Sequence, residues 1–383
     1  MPSPTLSLTL AGGGDGKTPP GVLALPTVAT SSPQPAPTAT PLPTSSLVPP
    51  VGKIVFEVDV GEAGIYAMDA DGTNLTRLIT QVGDMETGRP LWSPDGKFIA
   101  YLNSTGNEPW YVQSLWIMDR EGGDPRRLSA VNTPVYGFSS SADGSSIAYV
   151  AGESPSARSI FIVDIAEGVT RKVLGPGELG TSVAWSPDSR WIAFTSSTED
   201  TSAPELNIFR PDGSEQTRLA NDVSLASTAS SLSRSPDANV VATACDFEGN
   251  SDICIFTVYG RGFARLTEGS GIDEQPAWSP NGRMIAFTSG QPQGGFLKTD
   301  VFVANVDGAG LRSLTDFPRS DGPTYFLPPP IWSPDGTVIG FVSQQGKSQE
   351  PQELYLVSAD GGGLTQITSG LVLAIESFDW ILP

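Results

Sequence analysis

The chain has 383 residues, a formal net charge of −20, 42 glycines, 34 prolines, two cysteines and no histidine. So negative a surface repels phosphate backbones, which argues against nucleic acid as a partner. The absence of histidine excludes Ser–His and Cys–His catalysis and ordinary zinc sites, and two cysteines are too few for a thiolate cage. The many glycines and prolines favour a β-rich fold with frequent turns over long helices.

The chain begins with a proline-rich tail. Residues 1–50 contain twelve of the prolines, many threonines, serines and alanines, and no aromatic residue. Such a segment cannot bury enough apolar surface to offset its ordering entropy. We therefore predict a disordered Pro/Thr/Ser/Ala-rich linker over 1–51 and a folded domain over 52–383. The start lacks a basic region and no stretch approaches eighteen apolar residues, so a domain embedded in a membrane is not expected and any anchor would lie upstream.

One eleven-residue phrase recurs along the folded domain. "WSPDGKFIAYL" at Trp92 has close copies at Trp185, Trp278 and Trp332. Two degenerate copies start at Ser140 and Arg234, and a truncated one, "WILP", starts at Trp380. The spacing is 44–54 residues. A phrase repeated at this period belongs to a scaffold, because one catalytic site needs its motif once.

Each period predicts four short strands, here named A to D. Strand A leads to the Trp, an SPDG turn follows, and strand B is a segment such as "FIAYL". A variable loop precedes strand C, for example "LWIMD", and a second glycine turn leads to a polar strand D such as "RRLS". Four short strands repeated radially are typical of a β-propeller blade. In the corner, Pro presets φ, Asp bonds its own backbone, and Gly supplies a positive φ, while Trp fills the space between blades.

The two ends of the domain predict how the ring closes. The domain enters at "KIVFEV" from Lys53, a strand B without a preceding SPDG turn, and leaves at "SFDWILP", a strand A with nothing after it. The C-terminal strand around Phe378 to Leu382 is therefore expected beside Lys53 to Val58 in blade 1, which removes the open sheet edges. We predict an all-β, seven-bladed β-propeller closed by this strand and preceded by the disordered tail.

The pattern Trp-Ser-Pro-Asp-Gly, Ile-Ala-Phe, an apolar strand ending in Asp, a Gly turn and Arg-Leu-Thr resembles the TolB-type, WD-like β-propeller repeat over about 52–383. The resemblance implies an extracytoplasmic protein of the cell envelope that binds other proteins. TolB has six blades and an N-terminal α/β domain, whereas this chain has seven predicted blades after its tail. Related propellers also cap prolyl-oligopeptidase-like peptidases, but no Gly-x-Ser-x-Gly and no residues for a hydrolase domain are present here.

Long B–C and D–A loops are predicted to share one face of the ring, where binding usually resides. The B–C loops include 103–113, 196–204, 289–299 and 343–352, and the longest D–A loop is 315–330. Aromatic residues in these loops are candidate anchors for a protein or glycan, or else they pack beneath their own loops: Trp110, Tyr111, Phe296, Phe317, Tyr325 and Phe326.

Charged residues cluster just before two predicted inner strands. They are Asp84, Glu86 and Arg89 in one loop, and Asp273 and Glu274 in another. Their carboxylates could point to the central channel and bind a partner, hold Ca²⁺, or serve as a glycosidase acid and base. Because 42 acidic residues make chance adjacency common, we expect no cofactor, with calcium as the alternative.

The two cysteines are expected to form a disulfide. Cys245 ends strand B of blade 5 and Cys254 starts strand C, so they would face each other on adjacent antiparallel strands. The alternative is two buried free thiols that act as small apolar groups. A disulfide would indicate an oxidising, extracytoplasmic compartment.

Three functions are compatible with these features. The first is a non-catalytic, monomeric, extracytoplasmic binding module with a protein or carbohydrate partner on the B–C and D–A loop face. The second is a carboxylate-based glycoside-acting enzyme at the channel mouth. The third is a structural or sensory domain of a larger assembly. The missing catalytic residue types and the strong scaffold repeat favour the binding module.

Overall fold

The structure, a computed structural model, describes residues 50–382 apart from several short gaps. The gaps are 59–62, 81–86, 105–111, 178, 199–200, 221–222, 227–230, 260–261, 294–295, 317–327, 345–351, 369–374 and 376. The predicted tail lies almost wholly outside the described residues, so its disorder and its boundary at 51 stay predictions.

The described chain is built from β-strands, with one 3₁₀ turn at Pro155–Ala157. In chain order the strands are β1 (Lys53–Val58), β2 (Gly64–Asp69), β3 (Thr76–Thr80), β4 (Thr87–Trp92), β5 (Phe98–Asn103), β6 (Ser114–Asp119), β7 (Arg126–Arg127), β8 (Val135–Ser140), β9 (Ser146–Ala151), β10 (Arg158–Asp164), β11 (Thr170–Gly177), β12 (Leu179–Trp185), β13 (Ile192–Thr198), β14 (Thr201–Phe209), β15 (Thr217–Arg218), β16 (Ser224–Leu225), β17 (Ser233–Arg234), β18 (Val240–Phe247), β19 (Asn250–Thr257), β20 (Phe263–Arg265), β21 (Ile272–Trp278), β22 (Met284–Gln293), β23 (Phe296–Asn305), β24 (Arg312–Ser313), β25 (Ile331–Trp332), β26 (Val338–Gln344), β27 (Gln352–Ser358), β28 (Thr365–Gln366) and β29 (Phe378–Ile381).

These strands form seven antiparallel sheets, which confirms the seven-bladed propeller. Blade 1 contains β29, β1, β2 and β3, and blades 2 to 4 contain β4–β7, β8–β11 and β12–β15. Blade 5 has its strand A divided into β16 and β17, followed by β18–β20, and blades 6 and 7 contain β21–β24 and β25–β28. The A strands of adjacent blades contact one another, as β8 does with β12, so strand A lies at the centre of the ring.

The last strand closes the ring as predicted. β29 pairs antiparallel with β1, with Ile54 opposite Trp380 and Phe56 opposite Phe378. Beyond the paired strands, the N–H of Glu57 donates to the carbonyl of Ser377 at 3.0 Å. Chain ends that are far apart in sequence therefore share one blade, and the apolar core of that blade continues into blade 7.

Each SPDG corner is held by its own side chains. Ser93 Oγ donates to Asp95 Oδ1 at 2.7 Å and accepts from the backbone N–H of Phe98 at 3.1 Å, while Gly96 adopts a φ of +67°. The degenerate corner of blade 3 keeps the same contact between Ser141 and Asp143 at 2.6 Å. The Ser and Asp of the motif therefore satisfy the turn's polar groups, and this is why the phrase recurs in every blade.

The motif tryptophans lie between adjacent blades, as predicted. Trp92 of blade 2 packs with Val55 and Ile65 of blade 1. The indole N–H of Trp332 in blade 7 donates to the carbonyl of Ala277 in blade 6 at 2.9 Å. In blade 5 the equivalent residue is Arg234, which lines a narrow cleft between blades 4 and 5. Desolvation there lowers the pKa of Arg234 to about 10.

Arg234→Trp is expected to stabilise the propeller by about 1–2 kcal/mol, because it replaces a desolvated cation with the apolar group that other blades use. Thermal unfolding of the wild type, Arg234→Trp and Arg234→Leu measures the effect. The leucine variant separates removal of the charge from filling of the cleft. A melting temperature below that of the wild type for both variants would contradict the packing argument.

The ring-closing strand carries a carboxyl group whose ionisation opposes folding. Asp379 accepts hydrogen bonds from the N–H groups of Trp92 at 2.8 Å and Trp380 at 2.9 Å, yet burial raises its pKa to about 6. The pKa of Asp379 is higher in the folded protein than in the unfolded chain, so its protonation favours folding. This contribution to stability is complete below about pH 4 and is lost as the pH rises to about 6. In blade 3, Ser139 accepts the equivalent bond from Trp185 without a charge.

Asp379→Asn is therefore expected to match the wild type near pH 4 and to be more stable by about 2–3 kcal/mol at neutral pH. Denaturant unfolding at several pH values measures this difference. Asp143→Asn is the control of opposite sign, because the Ser141 hydroxyl lowers the pKa of Asp143. Its loss of stability should be largest at neutral pH and should vanish on acidification. A pH-independent difference for Asp379→Asn would refute the assignment.

Candidate functional site on the loop face

The two faces of the ring differ in their connections. The turn face carries the SPDG corners and the C–D hairpins, and the loop face carries the B–C hairpins and D–A connections. β1 begins at the turn face, where the Val51 carbonyl accepts from the Trp380 indole at 3.1 Å. The chain therefore enters and leaves the ring on the turn face, opposite the loop face.

The paired part of the B–C hairpin is longer in blades 4 to 6 than in blades 1 to 3. Measured from Ile99, Ile192 and Ile285, which follow the corner in each case, paired strand B continues for four residues in blade 2, six in blade 4 and eight in blade 6. At about 3.3 Å per residue, the extra lengths are about 7 and 13 Å. The loops predicted at 196–204 and 289–299 are wrong, because these segments are mostly paired strand.

Most of the predicted aromatic anchors lie outside the described residues. These are Trp110, Tyr111, Phe317, Tyr325 and Phe326, together with the acidic Asp84 and Glu86. Phe296 begins β23 and does not lie in a loop. Partner binding by this set stays a prediction.

Asp273 and Glu274 do not precede the inner strand as predicted, because they lie within β21 and are buried. Burial raises the pKa of Asp273 to about 6, although hydrogen bonds from Ser289 and Thr267 oppose the rise. The Glu274 carbonyl accepts from the Thr288 hydroxyl at 3.1 Å. The sequence pattern missed this because a bulge in strand A adds a residue and moves the start of pairing towards the loop face.

Hydroxyl groups after strand D hold the start of strand C. Thr315 Oγ1 accepts from the N–H of Val301 at 2.9 Å and donates to Asp300 Oδ1 at 2.9 Å. The same contact to a strand-C N–H is made by Ser129, Thr267 and Thr368. The final Thr of the "RLT" segment is therefore a structural residue.

Acidic residues at the start of strand C in blades 5 to 7 are part of this arrangement. Asp252 is fully buried, and its Oδ2 lies 2.7 Å from Arg265 Nη2. Burial raises the pKa of Asp252, and Arg265 opposes the rise. Glu353 accepts from the Thr368 hydroxyl, and burial raises its pKa also. These carboxylates are committed to the scaffold, which leaves them poorly placed to act on a substrate.

Two arginines meet at one tyrosine on the loop face of blades 2 to 4. Arg89 Nη1 donates to the carbonyl of Tyr136 at 2.8 Å, and its backbone N–H donates to Glu57 Oε2 at 3.0 Å. The Arg158 guanidinium lies 4.0 Å from the centre of the Tyr136 ring and donates to the Leu179 carbonyl at 2.9 Å. Arg89 is exposed, and Tyr136 and Arg158 are half-buried. We call Arg89, Tyr136 and Arg158 the arginine site.

The sequence indicated Arg89 but not the other two members. Tyr136 is the second residue of strand A of a degenerate repeat, and Arg158 begins strand C, 22 residues later. No motif links them, because the contact is made by the blade packing. Arg89 adopts a φ of 52°, and Gln275 occupies the equivalent position of blade 6 with a φ of 56°. Strand A has a bulge at this position in both blades, so the backbone conformation belongs to the scaffold. The positive charge is present at Arg89 and absent at Gln275.

Metal binding receives no support from the described residues. Within those residues, no group of three or more Asp, Glu, Cys or His side chains is placed to hold an ion. Asp84 and Glu86 lie outside that part of the chain, so the calcium alternative stays a hypothesis. The described residues also include no helix that is both long and apolar enough to cross a membrane.

Similarity to known proteins agrees with this architecture. No protein-family model matches the chain. A TolB homolog of Chlorobium chlorochromatii is 31% identical over 146 residues, which cover 38% of this chain and 31% of that protein. An uncharacterized protein of Agrobacterium fabrum is 28% identical over 212 residues, covering 51% of this chain and 67% of that protein. The match thus spans less than a third of the TolB homolog.

Solved structures extend the likeness over the ring. TolB from Acinetobacter baumannii superposes with a TM-score of 0.52 at 18% identity, covering 85% of this chain and 82% of that one. The chain is therefore a β-propeller similar in fold to TolB. Oligogalacturonate lyase from Vibrio parahaemolyticus shares the fold with a TM-score of 0.60 at 15% identity, covering 80% and 86% of the two chains. At such identities the likeness shows the fold alone.

A disulfide joins strands B and C in blade 5 of this TolB-like propeller. Cys245 and Cys254 are bonded, with Cα atoms 6.0 Å apart, and both are fully buried. The sequence predicted that the two cysteines face each other directly, and this is wrong. Cys245 faces Asp252, and Cys254 faces Thr243. The segment between the cysteines is mostly paired strand with a tight turn at Glu248 and Gly249, and this register makes the bridge diagonal.

We expect the purified, denatured TolB-like propeller to show no free thiol before reduction and two after it. Thiol titration measures both numbers, and the reduced sample is the control for accessibility. A short closed loop should stabilise the fold by roughly 2–3 kcal/mol. Two free thiols before reduction would contradict the disulfide and would remove one argument for an oxidising compartment.

Proposed function

We propose that this TolB-like propeller is a non-catalytic, extracytoplasmic binding module that engages a protein partner through its loop face. The loop face carries the extended hairpins of blades 4 to 6 and the arginine site of blades 2 to 4. Rigid β-scaffolds commonly present binding groups on such connections. The turn face, in contrast, repeats the same short corners around the ring.

The arginine site is the observation that carries this proposal. In a chain with a net charge of −20, neither Arg89 nor Arg158 has a salt-bridge partner among the described residues. Five other arginines of the described chain do pair with a carboxylate, namely Arg120, Arg190, Arg210, Arg218 and Arg265. Cations left without an internal partner at an exposed mouth favour an external anionic group.

A carboxylate-based enzyme is the alternative that the fold permits. Oligogalacturonate lyase is an enzyme by name and shares the architecture. Against this alternative, Asp252, Asp273, Glu274 and Glu353 are buried, and Asp252 is bonded to Arg265 within the scaffold. A glycosidase pair needs two carboxyl groups about 5–10 Å apart in an open pocket.

An extracytoplasmic location is supported by two features. The Cys245–Cys254 disulfide is typical of oxidising compartments. Val51, where the proposed linker joins the domain, lies on the turn face beside Trp380. A tether through residues 1–51 would therefore leave the loop face directed outwards, towards a partner.

The proposal is tested by affinity capture from an envelope fraction with the wild type, Arg89→Glu and Arg190→Glu. Arg190 is an exposed arginine on the turn face, with 70% of its side chain accessible, and serves as the matched control. We expect proteins retained by the wild type and by Arg190→Glu to fall about tenfold or more with Arg89→Glu, since a charged hydrogen bond contributes about 1.5–3 kcal/mol.

Melting temperatures establish that each variant is folded. Equal retention by all three proteins, or a loss with Arg190→Glu alone, would contradict binding on the loop face. Turnover of an added polysaccharide that is abolished by Asp273→Asn would favour the enzyme instead.

A further inference from the structure

We propose that the arginine site binds a carboxylate group, and that this group belongs to an acidic segment of a partner protein. The inference rests on the proposed function and deepens it, because it names the chemistry of the partner. The members of the arginine site come from strand A of blade 2, strand A of blade 3 and strand C of blade 3, so packing of the blades brings them together.

The guanidinium groups of Arg89 and Arg158 have unused hydrogen-bond donors. A guanidinium has five N–H donors in a planar fork. Arg89 uses one of them on the Tyr136 carbonyl, and Arg158 uses one on the Leu179 carbonyl. Arg158 Nε has no acceptor among the described residues but is buried, so the donors that Arg158 can offer to a ligand are those of its Nη groups. Both forks therefore retain donors for a planar, bidentate acceptor, which is what a carboxylate provides.

The side chains of Arg89 and Arg158 are preorganised by their contacts with Tyr136. Arg158 is held against the Tyr136 ring at 4.0 Å, and Arg89 is tied to the backbone of the same residue. Two side chains that normally lose much rotamer entropy on binding are thus already restrained. A ligand that bridges them gains charge-assisted hydrogen bonds at a reduced entropic cost.

The covered ring of Tyr136 and the negative charge of the chain favour a peptide ligand over a sugar. Glycan sites use the open face of an aromatic ring as a stacking surface, but one face of Tyr136 is covered by Arg158. The chain as a whole carries a net charge of −20. A long polyanionic glycan would be repelled by this excess negative charge along most of its length, whereas a short acidic segment brings fewer charges close to the protein.

The equivalent position of blade 6 provides the test variant. Gln275 has nearly the same φ as Arg89 and also precedes a proline. Arg89→Gln therefore removes the charge while keeping a residue that this backbone is known to accept. Arg158→Gln removes the second fork, and Arg158→Lys keeps the charge without the planar geometry if the glutamine variant fails to fold.

Binding is measured by fluorescence anisotropy with a labelled oligoglutamate peptide, at low and at physiological ionic strength. Oligoglutamine is the uncharged control, oligogalacturonate is the competitor, and Arg190→Gln is the control variant on the turn face. We expect oligoglutamate to bind the wild type and Arg190→Gln equally, and Arg89→Gln and Arg158→Gln to weaken it about tenfold each. Oligoglutamine should not bind.

Two results would overturn the inference. Oligogalacturonate that binds more tightly than oligoglutamate, through the same arginines, would assign the site to a glycan. Oligoglutamate binding that is absent, or that is unchanged in Arg89→Gln and Arg158→Gln, would show that the site does not recognise carboxylates. The capture experiment with envelope proteins is independent, so its success beside such a failure would leave a binding module with a different recognition chemistry.

Discussion

Each blade of this protein is a sheet with two apolar faces, and those faces are buried only if the ring is closed. The pairing of β29 with β1 supplies that closure, since Trp380 and Phe378 complete the core that blade 1 shares with blade 7. Apolar burial is the main favourable term in folding and is roughly proportional to area. The other blades depend on this contact because an open ring would expose a sheet face at each break.

Closure also determines where polar groups can go. A propeller packed on both faces of every sheet leaves few positions where a charge can stay hydrated, so buried charges need partners. The SPDG corners, the hydroxyls after strand D and the Asp252–Arg265 pair all satisfy polar groups at strand ends. Acidic residues that look like candidate ligands in the sequence are therefore largely structural in the described part of the chain.

The arginine site differs from these polar groups, because most of its hydrogen-bond donors have no partner within the described scaffold. Arg89 and Arg158 satisfy one bond each on neighbouring backbone and hold the rest of their donors at the mouth of the ring. Other described arginines also lack a carboxylate partner, but Arg89 and Arg158 differ from them in that both contact the same tyrosine. The fold is shared with TolB and with a lyase, so it does not decide the activity. The residues at the mouth are what distinguish this chain.

Repetition made much of the fold readable from sequence. The period, the corner chemistry and the unmatched ends predicted seven blades and the C-terminal strand beside Lys53 to Val58, because local turn signals and strand alternation act over a few residues. The sequence did not show that Asp273 is buried, that 289–299 is mostly paired strand, or that the cysteines are diagonal, since each depends on a bulge or on the register of pairing. Nor could it join Arg89 to Tyr136 and Arg158. Contacts between blades arise from packing at a distance in the chain, and only the tertiary structure decides them.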